Sequence, residues 1–303
     1  MKYLEQIKIE NNRFVDYIKG ALIFIFFHIL GQIPLTLFII SQSNLTGNSI
    51  NQNDIFSSLP PNITLFLVLL PFAAVIPFVY LVVTRLHVRS FISLVTARKR
   101  VDYKRILFSF LLWGTVSASM VIFDYWMNPD DYVWNFKPLT FLVLFLISIV
   151  MIPLQTSLEE FVFRGYLMQG FGVLCKNRWI PLLITSVLFG LLHIWNPEID
   201  KLGIHLIWYY IGTGLFLGLI TLMDEGMELA LGFHAANNLV TALLVTASWT
   251  AFQTESLLID NSEPSLGMEL IITLAVIYPL LALIFAKKYQ WKNWITQLTH
   301  KFE

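Results

Sequence analysis

Long apolar runs separated by short polar segments dominate the chain. They cover residues 20–40, 63–83, 106–126, 139–158, 180–195, 205–223, 228–249 and 267–286. A helix needs about 20 mostly apolar residues to cross the hydrocarbon core of a bilayer. A bilayer admits only helices or closed barrels, and no period-two alternation competes with the helical pattern. The pattern therefore predicts an all-α fold, with one integral-membrane domain over 1–303. This domain is a polytopic helical bundle of about eight transmembrane helices, the fifth being the shortest.

Composition agrees with a lipid-solvated protein. Of the 303 residues, 56% are hydrophobic and only 13% are charged. A soluble domain has about 45–50% apolar and about 25% charged residues. The formal net charge is zero, which gives no indication of a nucleic-acid partner. The single cysteine, Cys175, excludes an intrachain disulfide and a cysteine-rich metal site.

The distribution of charge predicts how the bundle is oriented. The connections 42–61, 127–138 and 250–265 carry at most one Lys or Arg each. Basic residues concentrate in four other segments: 1–19, 84–105, 176–178 and 287–301. With an even number of spans, all four fall on one side of the membrane. The positive-inside rule then places both termini in the cytoplasm.

Two connections on that side are less clear. The segment 224–228 is acidic, although acidic residues count little in the positive-inside rule. The segment 84–105 fits two alternatives equally well, an amphipathic interfacial helix or a simple basic loop.

Three charged residues, Glu159, Glu160 and Arg164, directly follow the fourth apolar run in a segment that is otherwise apolar. An ionised side chain at the bilayer centre costs roughly 2.5–3.5 kcal/mol on insertion scales, so these groups require a partner, a wet cavity or chemistry. The pattern predicts one long helix over 139–175, kinked at Pro153 and loosened toward its end by Gly165, Gly170 and Gly172. On that helix Glu160 and Arg164 are four residues apart and face one another. Glu159 lies about 100° round the axis. This predicts that Arg164 holds Glu160 and that Glu159 is available as a base.

A polar break around Asn177 predicts a helical hairpin. Glu159 and Glu160 lie about seventeen residues before Asn177, and His193 lies sixteen after it. Residues equally distant from the turn are level across the contact between the two helices. The carboxylates and the His193 imidazole are therefore expected at the same height. Phe189 is one turn before His193 and is expected to hold its ring.

A third polar segment lies in the seventh apolar run. His234 and Asn238 are four residues apart and share a helix face. Ala235 and Ala236 between them are small enough to let a neighbouring helix approach closely. Asn237 lies off that face and is expected to make a structural hydrogen bond between helices.

Together these segments predict a membrane-embedded hydrolase. Two Glu, two His and one Asn facing inward suffice to activate a water and stabilise an oxyanion. His28 and His205, by contrast, are interpreted as structural histidines. An ion-coupled transporter using the pair Glu160–Arg164 is a competing hypothesis. Its weakness is that the sequence shows neither an internal repeat nor paired broken helices.

The three polar segments resemble the CPBP family, also called Abi. It contains the type II CAAX prenyl endopeptidases and bacteriocin-processing or self-immunity proteins. The family pattern is Glu-Glu-x-x-x-Arg, then Phe-x-x-x-His, then His-x-x-x-Asn or Asp. This chain matches all three in order, at 159–164, 189–193 and 234–238, within a motif-bearing core of about 139–249.

The resemblance implies an intramembrane endopeptidase whose active site opens toward the cytosol. Its substrate would be a membrane-associated peptide or protein, either prenylated or bacteriocin-like. The implied catalytic residues are Glu159 and His193, which activate the water, His234 and Asn238, which stabilise the oxyanion, and Glu160 with Arg164, which support the site. The alternative is a non-catalytic bacteriocin self-immunity protein or regulatory membrane scaffold.

The cofactor requirement stays open between two hypotheses. Glu159, His193 and His234 are a possible ligand set for Zn²⁺, and metalloprotease is the customary family label. A metal-free mechanism uses a glutamate base instead, and the spacing of His234 and Asn238 favours it modestly. The abundance of the family in bacteria favours a bacterial plasma membrane.

Overall fold

The computed structural model describes residues 2–7, 12–46 and 59–301. Helices make up most of these residues, which confirms the all-α prediction. The helices are α1 (Phe14–Gly31), α2 (Ile33–Thr46), α3 (Pro61–Leu81), α4 (Ile92–Val95), α5 (Tyr103–Met127), α6 (Pro138–Glu160), α7 (Met168–Cys175), α8 (Trp179–Leu192), α9 (Pro197–Leu202), α10 (Ile207–Asp224), α11 (Glu228–Leu244), α12 (Met268–Ile272), α13 (Tyr278–Tyr289) and α14 (Trp294–Thr299). The π-helical segments are Val82–Leu86, Phe161–Leu167 and Thr273–Ile277.

Six helical stretches of the described chain are long and apolar enough to cross a membrane. They are Phe14–Ser43, Pro61–Leu86, Tyr103–Met127, Pro138–Cys175, Ile204–Asp224 and Met268–Tyr289. Each coincides with one of the eight predicted windows. The other two windows are also helical, but α8 has 14 residues and α11 has 17. Both are shorter than a full span because α8 ends in a 3₁₀ turn and α11 ends where the chain becomes extended at Val245.

The predicted long helix is present but not uniform. It is helical from Pro138 to Cys175. Immediately after Glu160 it changes to a π-helix over Phe161–Leu167. A π-helical turn has i→i+5 hydrogen bonds, and such turns occur frequently at functional sites. The sequence predicted a kink at Pro153 and a looser helix end from Gly165 onward. The structure places a change of helix type directly after the carboxylates, in a segment that contains Gly165.

One end of the bundle, here called the basic end, gathers the basic segments. Thr96 pairs with Gly226, and Asn177 pairs with Lys301. The backbone N–H of Tyr3, near the start of the chain, donates to Glu225. Tyr3 and Lys301, which are the described residues near the two ends of the chain, therefore both lie at the basic end. Most of the connection 42–61 lies outside the described residues.

Two uncertainties from the sequence are settled at the basic end. Within 84–105, Ile92–Val95 is a short helix of four residues, so the segment is a loop and not an amphipathic helix. The acidic segment 224–228 is neutralised by its basic neighbours. Arg98 lies 3.0 Å from Asp224 and 3.1 Å from Glu228. The acidic connection thus belongs to the same end as the basic ones.

The opposite end carries a small sheet. Its strands are β1 (Tyr132–Trp134), β2 (Val245–Ala247) and β3 (Leu258–Asp260), in the order β1-β3-β2. β1 pairs antiparallel with β3, and β2 pairs parallel with it. The sheet therefore joins the segment before α6 to the segment after α11.

Close packing of α5 against α11 fixes the helix that carries the third motif. A Cβ at Gly232 would lie 2.1 Å from the carbonyl oxygen of Ile106, so only glycine permits this approach. Trp113 stacks on Phe233, with ring centroids 4.5 Å apart. Its indole N–H donates to Asn237 Oδ1 at 3.0 Å, which confirms the predicted interhelical hydrogen bond.

Candidate active site

The first motif places an ion pair in the interior of the bundle. Arg164 Nη1 donates to Glu160 Oε1 at 3.2 Å, and the two residues are 1% and 0% exposed. Arg164 also donates to the Gly214 carbonyl at 3.3 Å, and its guanidinium lies 4.2 Å from the Phe189 ring centroid. This confirms that Arg164 holds Glu160. Because a buried unpaired charge is strongly destabilising, each partner depends on the other.

His234 lies between the two carboxylates. Its Nδ1 is 2.7 Å from Glu160 Oε1, and its Nε2 is 3.5 Å from Glu159 Oε2. Because Arg164 also bonds Glu160, the group consists of two acids, one permanent cation and one imidazole. With both acids ionised and the imidazole neutral, it carries one negative charge.

A glutamine links the third motif to Glu159. Asn238 Nδ2 donates to Gln155 Oε1 at 3.1 Å, and Gln155 Nε2 donates to Glu159 Oε1. Sequence reasoning missed Gln155. The available signal was its position one helical turn before Glu159, as a polar residue in an apolar run.

His193 is held from both sides by aromatic rings. Its Nδ1 lies 2.7 Å from the Phe189 carbonyl oxygen. A carbonyl only accepts, so Nδ1 carries the proton and, in the neutral ring, Nε2 keeps its lone pair. The Phe189 ring is 4.8 Å away, which confirms the predicted aromatic contact. Tyr210, which the sequence did not single out, stacks on the other side at 4.1 Å with 19° between the planes.

Phe189 is the common neighbour of the three motifs. Its ring centroid lies 4.8 Å from that of His193 and 6.0 Å from that of His234. The Arg164 guanidinium lies over the same ring. Hydrogen bonds and ion pairs thus join the polar residues of the first and third motifs, Glu159, Glu160, Arg164, His234 and Asn238. His193 contacts the Phe189 ring, which in turn contacts His234.

Comparison with known proteins agrees with this arrangement. A family model described as "Type II CAAX prenyl endopeptidase Rce1-like" matches residues 134–240. The uncharacterized protein YyaK of Bacillus subtilis (strain 168) is 30% identical over 237 residues, which are 78% of this chain and 79% of YyaK. The chain belongs to the Rce1-like type II CAAX prenyl endopeptidase family. No solved structure matches it. The Rce1-like region runs from β1 into α11 and contains all three motifs.

The possible zinc ligands of this Rce1-like protein do not form a metal site. Both ring nitrogens of His234 already face carboxylate oxygens, at 2.7 and 3.5 Å. Within the described ranges, no three His, Cys, Asp or Glu side chains are grouped so that they could hold a metal ion. Glu159, His193 and His234 therefore do not fit a zinc centre.

A second buried histidine, His87, lies outside the motifs. Its Nδ1 is 2.8 Å from Asn12 Oδ1, and its Nε2 is 2.8 Å from the Tyr166 hydroxyl. Burial, assisted by the charge of Arg89, lowers the pKa of His87 to about 4. Tyr166 belongs to the π-helical segment, so this neutral imidazole joins the chain before α1 to that segment.

Proposed function

We propose that this Rce1-like protein is an intramembrane endopeptidase that hydrolyses a peptide bond with a glutamate-activated water. The observation that carries the proposal is the His234 imidazole held between Glu159 and Glu160, at 3.5 and 2.7 Å. A structural ion pair requires only Glu160 and Arg164. The second carboxylate and the imidazole add a group that can take up and return a proton.

Glu159 is the general base in this proposal. Its side chain is 15% exposed, whereas that of Glu160 is fully buried, so a water can reach Glu159. Glu159 takes one proton from the water, and the water oxygen bonds to the peptide carbonyl carbon. The protonated Glu159 then gives that proton to the leaving nitrogen as the C–N bond breaks. General acid–base catalysis of this kind contributes typically about 10²–10⁴-fold.

The other motif residues position and stabilise charge. The free Nε2 lone pair of His193 accepts a hydrogen bond from the attacking water. The Asn238 amide and a protonated His234 Nε2 donate to the oxyanion, and such donors act most strongly in a water-poor site. Glu160 and Arg164 fix the His234 ring, and Gln155 orients Asn238 and Glu159.

The substrate is proposed to be a membrane-associated peptide, either prenylated or bacteriocin-like. Six helices of the described chain are long and apolar enough to cross a membrane, so we expect the substrate to reach the site from a lipid environment. The basic end supports an orientation with both termini in the cytoplasm. A bacterial plasma membrane is the proposed location.

The proposal is tested with the full-length protein in lipid vesicles. Wild type, Glu159→Gln and the control Glu263→Gln, whose side chain is exposed in a loop, are incubated with a prenyl-cysteine peptide and with its unprenylated counterpart. We expect wild type and Glu263→Gln to cleave equally, with and without a chelator. Glu159→Gln is expected to lose about 10²–10⁴-fold in kcat while remaining folded. Cleavage by Glu159→Gln at the wild-type rate contradicts the proposal.

A further inference from the structure

The turn after His193 is connected to the segment after the third motif. Glu198 lies in the first turn of α9, five residues beyond His193. Its Oε1 accepts a hydrogen bond of 2.9 Å from the backbone N–H of Ala251. Ala251 follows β2, which itself follows α11. One side chain therefore links the parts of the chain that bear the second and third motifs.

The path from Glu198 back to His193 is short and hydrogen-bonded. The Asn196 N–H donates to the His193 carbonyl at 3.0 Å, and the Ile199 N–H donates to the Asn196 carbonyl at 3.0 Å. The Asn196 side chain donates to the Tyr210 hydroxyl at 3.4 Å. Tyr210 is the ring that stacks on His193. If Glu198 moves, the His193 ring is therefore expected to move with it. The movement would pass through the backbone hydrogen bonds at Asn196 and through the Tyr210 ring.

The segment around Ala251 is in turn fixed to α11. Thr250 Oγ1 donates to the Ala247 carbonyl at 2.9 Å. Thr254 Oγ1 donates at 2.8 Å to the carbonyl of Ala242, which is in the last turn of α11. α11 carries His234 and Asn238. These hydrogen bonds therefore fix Ala251 relative to those two residues.

Burying the Glu198 carboxylate at this position lowers the stability of the fold. Its Oε2 is buried and has no hydrogen-bond partner. A buried polar group left unsatisfied costs about 1–3 kcal/mol, and more if it is charged. Burial also raises the pKa of Glu198, and Tyr210 on α10 is the titratable group near it.

We infer that Glu198 is a positioning residue, which clamps the His193 turn to the segment after α11 and so sets His193 against Glu159 and His234. This inference rests on the proposed function. Its chemistry is that of a hydrogen-bond acceptor: an oxygen is needed at Oε1, and the negative charge is not.

The test combines kinetics with amide hydrogen exchange on the full-length protein in lipid vesicles. The variants are Glu198→Ala, Glu198→Gln, which keeps an acceptor oxygen, and Asp200→Ala, an exposed control on the same short helix. We expect Glu198→Ala to lower kcat about tenfold with KM unchanged, because small displacements of catalytic groups have large effects on rate. Exchange is expected to rise in peptides covering 193–202 and 248–254 but not in 155–165. Glu198→Gln is expected to restore both properties, and Asp200→Ala to match wild type.

The two readouts separate this inference from the proposed function. If Glu198→Ala cleaves like wild type, or if exchange at 248–254 does not rise, the clamp is wrong and the peptidase proposal stands. If wild type cleaves no substrate, the peptidase proposal and the catalytic role of the clamp fail together, whatever the exchange shows. If Glu198→Ala does not fold, Glu198→Met is used instead, because Met fills a similar space without an acceptor oxygen. Its kcat and its exchange at 248–254 are then judged in the same way.

Discussion

The charged group at the basic end and the group around His234 use the same side-chain types to different effect. At the basic end Asp224 accepts from Arg98, Arg105 and the Trp291 indole. Glu228 accepts from Arg98 at 3.1 Å and from the Asp102 backbone at 3.2 Å. Each acid there faces at least one arginine, and the group joins loops to helix ends.

The group around His234 is not balanced in this way. Glu160 shares its Oε1 between Arg164 and His234, and its Oε2 is buried without a hydrogen-bond partner. Glu159 is met by an amide and an imidazole and not by an arginine. The basic end thus pairs its acids with arginines, whereas Glu159 in the group around His234 has no arginine partner, and this difference supports the proposal that Glu159 is the general base.

The largest expected effect on stability comes from removing Arg164 from the group around His234. Arg164→Met leaves Glu160 buried without its cation, and breaking a buried pair costs about 3–5 kcal/mol. We expect loss of both folding and cleavage, measured by thermal unfolding in detergent and by peptide hydrolysis. The matched variant Arg98→Met removes a cation that is 26% exposed and is expected to cost less. A smaller loss for Arg164→Met than for Arg98→Met contradicts this ranking.

Paired substitutions of glutamate by glutamine sharpen the comparison. Glu228→Gln weakens bonds to Arg98 and is expected to cost about 1–3 kcal/mol of stability, with activity per folded molecule unchanged. Glu159→Gln is expected to lower the activity per folded molecule and to leave the stability unchanged. The measurement is residual kcat, normalised to folded protein, set against the melting temperature of each variant. If residual kcat falls in proportion to melting temperature in both variants, the two groups do not differ in function and the comparison is wrong.

A smaller effect is expected at Gln155. Gln155→Ala removes one hydrogen bond to Glu159 and one to Asn238, and a net hydrogen bond is worth about 0.5–1.5 kcal/mol. We expect kcat to fall about tenfold, since 1.4 kcal/mol corresponds to a factor of ten. The neighbouring Thr156→Ala, which breaks only bonds to the Ile152 and Pro153 carbonyls of the same helix, serves as the control. Unchanged kcat in Gln155→Ala would exclude a role for this bridge.

At neutral pH the smallest effect is expected at His87, which lies outside both groups and influences stability only at acid pH. Burial lowers the pKa of His87 from 6.5 to about 4. The unfolded chain therefore binds this proton more tightly, and stability contributed by neutral His87 is complete above pH 6.5 and is lost as the pH falls through about 4. We expect His87→Gln to flatten the decrease in melting temperature over that interval. An identical pH dependence in the variant contradicts the assignment.

Contacts within one helix could be predicted from the sequence. Helical periodicity alone determines that Glu160 faces Arg164 and that Phe189 lies against His193. Hydropathy likewise located eight helical segments, although six reach the length of a span. These properties depend on local spacing.

Contacts between helices could not be predicted in the same detail. The position of His234 between Glu159 and Glu160 depends on the rotation of α11 relative to α6. The π-helical segment Phe161–Leu167 contains Gly165, but a glycine alone does not specify a change from α-helix to π-helix. Tyr210 stacks on His193 across a similar helix–helix contact.

The central claim is that Glu159 activates a water, and isotope-labelled water tests it most directly. Cleavage of a membrane-associated peptide in oxygen-labelled water is followed by mass spectrometry of both fragments. The account predicts that wild type incorporates the label into the new carboxyl terminus and that Glu159→Gln forms the labelled fragment about 10²–10⁴-fold more slowly. Fragments without label, or equal labelling by both proteins, would contradict it.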